Sequence, residues 1–188
     1  MKRTFVAIPF LLSQDFIDFL EDIKRSVKGK INWVKPENMH FTLAFIGETS
    51  PEMELAVKKA IIATKITIKS FNLFPEGLDV FPPKKKPRVL WTGLNDSSRI
   101  VNFRNELWKN LESETDIKDD PKIFFPHLTL ARINWLDNLE ILNVLLEKYH
   151  KYPFPVLQVD RVLFYESKLS RTGPVYHVLG SYLLQKDF

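Results

Sequence analysis

Apolar and polar positions alternate over residues 3–9 and predict a first strand. The period then lengthens. Phe16, Leu20, Ile23 and Val27 fall on one face of a helix, with Ser13 as N-cap and an end near Gly29. A short strand at Ile31–Val34 and a turn at Pro36–Asn38 lead into a strand over 39–46, which Gly47 should stop. Ser50, with Pro51 at the first helical position, opens a second helix with Val57, Ala60 and Ile61 inward. Strands follow at 66–74 and 78–81 around a turn at Pro75–Gly77. A proline- and lysine-rich loop at 82–87 and a strand at 88–94 close the first half.

The second half begins with a helix from Asp96 to Ser113, with Ile100, Phe103, Leu107 and Leu111 on one face. An acidic loop over 114–122 precedes a strand at 124–132. Asp137 and Glu140 form a capping-box-like pair for a fourth helix, with Leu142, Leu145, Leu146 and Tyr149 inward. Two long strands, 155–165 and 175–184, are joined by residues 167–174.

One pentapeptide occurs twice. His40-Phe41-Thr42-Leu43-Ala44 and His127-Leu128-Thr129-Leu130-Ala131 differ by one apolar swap. On a strand, successive side chains point to opposite faces. His40, Thr42 and Ala44 should then share a face, as should His127, Thr129 and Ala131, while Phe41, Leu43, Phe45, Leu128 and Leu130 oppose them. In each half a helix precedes the histidine strand, and Ser50 follows His40 at the interval by which Asp137 follows His127. The unit is repeated, which implies duplication or two pseudo-symmetric lobes. Each lobe would have a sheet covered by helices on one face and turned toward its partner across a cleft on the other.

Composition narrows the chemistry. The chain has 188 residues, 45% hydrophobic and 27% charged, enough for a sizeable core. It has no cysteine, which excludes disulfides, thiolate nucleophiles and cysteine-bound zinc. No segment reads as a signal peptide or a membrane span, so a cytoplasmic protein without a membrane partner is expected. A net charge of +4 permits a polyanionic partner without demanding one.

Two opposed histidines can perform acid and base work at once, and two hydroxyls can hold an anionic oxygen between them. That set suits a phosphodiester in which one oxygen attacks while another leaves. No His-x-x-x-His pair, carboxylate cluster or glycine-rich phosphate loop accompanies it, so neither metal nor cofactor is expected.

The two His-x-Thr-apolar motifs resemble those of the 2H phosphoesterase superfamily. Their settings resemble the RNA 2′,3′-cyclic phosphodiesterase (2′–5′ RNA ligase, LigT-like) family: Trp33–His40, Phe45-Ile46-Gly47-Glu48, Phe125–Arg132, the opening Arg3–Ile8, and the closing Glu166–Leu169 with Gly173–Tyr176. The resemblance implies a bilobal, pseudo-symmetric α+β fold of two antiparallel sheets facing a central cleft, with helices on the outer faces. The two lobes would interleave in a single domain spanning 1–188. It implies hydrolysis of an RNA 2′,3′-cyclic phosphate to a 2′-phosphomonoester, with a reversible 2′–5′ ligation as side activity. His40 would be the proton donor and His127 the proton acceptor. Thr42 and Thr129 would hold the non-bridging oxygens, and Arg132 would neutralise phosphate charge. Strand alternation alone sends Arg132 to the opposite face from His127, so its role requires a bend. The partner would be RNA with cyclic phosphate ends, tRNA fragments among the candidates, acted on by a monomer.

Two other readings stand beside this one: a phosphodiesterase for a small nucleotide such as ADP-ribose 1″,2″-cyclic phosphate, and a non-catalytic RNA-binding module. His150 and His177 read as structural. Lys84, Lys85, Lys86 and Arg88 read equally well as an RNA track or a solvated loop. Trp33, Phe41 and Phe45 read as core, and Phe5 or Tyr176 as candidates to stack on a base.

Overall fold

A computed structural model describes residues 1–82, 86–119, 124–170 and 173–186. Lys84 and Lys85 lie outside the described residues. Among the described residues, ten strands and four α-helices follow one another as β1 (Lys2–Pro9), α1 (Gln14–Ser26), β2 (Gly29–Trp33), β3 (His40–Thr49), α2 (Pro51–Thr67), β4 (Phe71–Leu73), β5 (Pro75–Phe81), β6 (Val89–Leu94), α3 (Ser98–Glu114), β7 (Leu128–Leu136), α4 (Leu139–Lys148), β8 (Leu157–Val159), β9 (Arg161–Ser170) and β10 (Gly173–Leu183). The architecture is α+β, as the sequence implies.

Eight strands join in the order β10-β9-β1-β3-β7-β6-β5, with β2 added on β7, while β4 and β8 form a small separate ladder. Every strand pairing within these ladders is antiparallel. The large sheet divides into two halves. In one, β1-α1-β3-α2 places β3 beside β1 and β1 beside β9; in the other, β6-α3-β7-α4 places β7 beside β6 and β6 beside β5. The halves meet at one register pair, Phe41 with Leu128.

The helices form where the apolar spacing predicts, because each buries its marked face. Phe16, Leu20 and Ile23 of α1, Val57, Ala60 and Ile61 of α2, and Leu142 and Leu146 of α4 are buried in one core. So are Ile100, Phe103, Leu107 and Leu111 of α3. That core also takes Val6 and Ile8 of β1, Phe41 of β3 and Leu128 of β7. Ser13 and Ser50 accept hydrogen bonds from the backbone N–H groups of Phe16 and Met53 and cap α1 and α2.

Several boundaries differ from expectation. Gly47 does not end β3; with φ +83° it sits at a bulge, and the strand runs on to Thr49. Residues 66 and 67 belong to α2, which shortens the strand expected over 66–74 to β4. Pro75–Gly77 open β5 instead of turning: Gly77, at φ +78°, accommodates the His150 carbonyl where a Cβ would clash. The cap of α4 is Asn138, whose Oδ1 accepts from the Glu140 N–H, because the Asp137 N–H is still donating to the Lys28 carbonyl at the end of the β2–β7 ladder. The strand expected at 124–132 is shifted to 128–136, leaving His127 at its threshold. β9 and β10 remain paired from Arg161–Leu183 as far as Ser170–Gly173, a longer hairpin than expected.

Candidate active site

Antiparallel pairing of Phe41 with Leu128 sets how the two motifs meet. Continued by one residue either way, that register brings His40 opposite Thr129 and Thr42 opposite His127. Phe41 and Leu128 are fully buried beneath the sheet, so their neighbours project from the other face. His40, Thr42, His127, Thr129 and Arg132 all line one cavity of about 610 Å³. The sequence marked all five, and the fold gathers all five.

Arg132 reaches this face through a β-bulge. On β7, Trp91 pairs with Thr129 and Leu90 with Ala131, so Leu130 is extra. Leu130 and Ala131 both point inward, and alternation resumes with Arg132 outward. β3 carries the same bulge at the same place: Ala7 pairs with Thr42 and Val6 with Ala44, leaving Leu43 extra. The carbonyl of each extra residue is satisfied from outside the motif. Leu43 O accepts from the Trp108 indole N–H at 3.3 Å, and Leu130 O from the Val34 N–H at 2.9 Å. The bulges overturn two expectations. Ala44 and Ala131 are buried beneath the sheet instead of sharing the histidines' face, and Phe45, expected in the core, is 51% exposed.

The two imidazoles are held alike. His40 Nδ1 lies 2.6 Å from the Asn38 carbonyl, and His127 Nδ1 lies 2.8 Å from the Phe125 carbonyl. A carbonyl only accepts, so in each ring Nδ1 carries the proton and Nε2 is left for chemistry in the cavity. These partners are backbone groups two residues before each histidine, which side-chain identity could not announce. Among the described residues no protein group hydrogen-bonds the Thr42 or Thr129 hydroxyl.

The surroundings of the two rings differ. Phe5 lies 4.9 Å from His40 ring to ring, and Tyr176 meets its edge at 5.4 Å. Phe81 meets the edge of His127 at 5.3 Å. Burial holds the His40 imidazole below the ordinary histidine pKa; its hydrogen bond to Asn38 opposes the shift and the nearby His127 adds to it. Burial also pushes the Tyr176 phenol up, with the Arg132 charge acting the other way. Tyr176 and Arg132 line the same cavity as His40.

The walls come from both ends of the chain. Trp33 and Lys35, just before the first motif, line the cavity together with Gly173, Pro174 and Tyr176 of β10. Asn38 ties them together by donating its side-chain N–H to the Pro174 carbonyl at 2.9 Å. Trp33, expected as core, and Lys35, not singled out by its residue type, are thus wall residues. His150, His177 and Arg88 line no part of the cavity; Arg88 donates to the Asn134 carbonyl. Among the described residues no group of three or more His, Asp or Glu side chains is placed to hold a metal ion, and no helix is long and apolar enough to cross a membrane.

A repeated fold with a His-Thr pair from each half, facing one cavity, is the arrangement that the resemblance to the 2H phosphoesterases implies. A family model described as LigT-like phosphoesterase matches residues 11–91, which include the first motif. An Aquifex aeolicus protein named RNA 2′,3′-cyclic phosphodiesterase is 32% identical over 187 residues, covering 98% of this chain and 99% of that one. A Thermotoga maritima protein of the same name is 31% identical over 193 residues, covering 94% and 92%. Among solved structures, a Thermus thermophilus protein superposes with a TM-score of 0.74 at 24% identity, covering 99% of this chain and 100% of that one. Escherichia coli LigT complexed with 3′-AMP gives 0.74 at 22% identity, covering 98% and 99%. The chain belongs to the LigT-like family of 2H phosphoesterases.

Proposed function

We propose that this protein is an RNA 2′,3′-cyclic phosphodiesterase that yields a 2′-phosphomonoester. The observation that carries the reading is the crossing at Phe41 and Leu128, which aims two Nε2 atoms and two hydroxyls at one cavity. His127 takes a proton from the attacking water as its oxygen bonds to phosphorus. The bond from phosphorus to the 3′-oxygen breaks, and His40 protonates that oxygen. Thr42 and Thr129 donate hydrogen bonds to the non-bridging oxygens, and Arg132 offsets their charge. Burial disfavours the His40 imidazolium in the free protein. The phosphate's negative charge favours the imidazolium, so substrate binding itself charges the donor. With an RNA 5′-hydroxyl in place of water, the same steps give a 2′–5′ linkage. The names of the relatives support RNA as substrate, and tRNA fragments, a monomeric state and a cytoplasmic location belong to the same reading.

The test is incubation, in EDTA, with a short RNA ending in a 2′,3′-cyclic phosphate, resolving 2′- from 3′-phosphate products. The expected product is the 2′-phosphate, lost in both His40→Ala and His127→Ala. A 3′-phosphate product, or turnover abolished by EDTA, would overturn the mechanism.

A further inference from the structure

The two halves carry the same bulge but put different residues on the cleft face just beyond it. In the second half the position belongs to Arg132; in the first it belongs to Phe45, the cross-strand partner of Phe5. Phe5 is itself a cleft-face residue, its ring within stacking distance of His40 at 4.9 Å and of Tyr165 at 5.0 Å. Side chains directly opposite in an antiparallel pair share a face. Phe45 therefore lies on the same face of the sheet as Phe5 and His40. A charge covers it. The Arg3 guanidinium, on the same face of β1 as Phe5, lies 5.0 Å over the Phe45 ring. Glu48, the register partner of Arg3, forms no ion pair with it, and Arg3 has none among the described residues.

Phe45 is half exposed and does not line the cavity; it lies on the strand that leaves it, roughly 15 Å from His40 along β3. That is too far for the nucleotide whose phosphate lies between the histidines. We infer that Phe45 and Arg3 form a second nucleotide subsite, in which the Phe45 ring stacks on a base and Arg3 neutralises the phosphate of a residue 5′ to the cyclic end. The inference rests on the RNA reading of the cavity and names how a strand, as opposed to a lone nucleotide, is held. An exposed aromatic ring offers a surface to any base, and a guanidinium beside it offers a contact to the backbone. A base stacked on the free face of Phe45 would leave Arg3 on the opposite face, near the chain that joins that base to the next. The expected recognition is tolerant of base identity, because every base has a π-face.

The test compares equilibrium binding of 2′-AMP with that of a fluorescent RNA hexamer ending in a 2′-phosphate, for the wild type, Arg3→Ala, Phe45→Ala and Phe45→Tyr. Turnover of a nucleoside 2′,3′-cyclic monophosphate is measured alongside. Arg3→Ala and Phe45→Ala should each weaken the hexamer roughly tenfold more than the mononucleotide. Phe45→Tyr, which keeps the π-face, should retain hexamer binding. Arg3→Ala should also lower the salt slope of hexamer binding by about 0.7, as for one phosphate contact on a single strand. Equal weakening of both ligands, or hexamer binding unchanged in both alanine variants, would overturn the subsite. So would a wild type that binds the hexamer no more tightly than 2′-AMP. Failure of the catalytic reading is seen separately, as absent turnover of the cyclic mononucleotide.

Discussion

Phe41 pairs with Leu128, and each is the residue directly after a motif histidine. The pseudo-twofold relation between the halves therefore passes through the buried layer directly beneath the cavity. The residues that join the halves also set the spacing of the groups above them.

Phe41→Ala should destabilise the fold by about 3–5 kcal/mol, the cost of deleting a fully buried phenylalanine. The loss should appear as a lower midpoint in urea. Because the same side chain supports the crossing, kcat should fall as well, at temperatures where the variant is still folded.

Replacing either histidine should lower kcat by about 10²–10⁴-fold, with KM little changed. Exchanging both should cost far less than the product of the single losses, because acid and base act in one step. Single-turnover rates on a cyclic-phosphate substrate measure this. An additive double variant would show that the two imidazoles work independently.

His40 should titrate below 6.5 in the free protein, since burial disfavours its charged form. Adding inorganic phosphate should move that titration upward, because a neighbouring anion favours the imidazolium. In kinetics, the alkaline limb, where the donor loses its proton, should lie at higher pH in kcat than in kcat/KM. Imidazole NMR shifts followed over pH, with and without phosphate, provide the direct reading. No upward movement would place His40 away from the phosphate.

Arg132→Ala should reduce kcat/KM by about 10–100-fold, in line with loss of one hydrogen bond to a charged group. Arg132→Lys should recover part of it, the charge without the planar fork. Full recovery would mean that charge alone suffices.

Trp108→Phe should cost about 1–2 kcal/mol, since it removes the indole donor from the Leu43 carbonyl at the bulge. Denaturant unfolding reads the stability. If the bulge depends on that bond, Phe45 mobility should change as well, although Trp108 lies 65 positions from Leu43 in the chain.

Helices were legible because their apolar faces have a period the core must honour, and Ile100, Phe103, Leu107 and Leu111 are all fully buried. The histidines and threonines were legible because a residue type repeated at one offset in two settings is improbable without a shared task. The bulges were not. Alternation assumes an unbroken ladder, and what interrupts it at Leu43 and Leu130 is a donor supplied from elsewhere, Trp108 in one case and Val34 in the other. The same blindness put Phe45 in the core, left Ala44 and Ala131 on the cleft face although both are buried, and left the route of Arg132 to the cavity unexplained. Gly47 and Gly77 misled in a related way: their left-handed backbones serve bulges inside strands, where a glycine in sequence usually reads as a stop.

The twin bulges also set a limit on symmetry. A homodimer of one ancestral half would present two identical flanks, so any gain at one would be imposed on the other. With both halves in one polypeptide, the flanks differ while the His-Thr pairs stay alike. One half carries a guanidinium at its flank and the other a benzyl ring, so the cleft has a direction that its paired motifs alone would not give it.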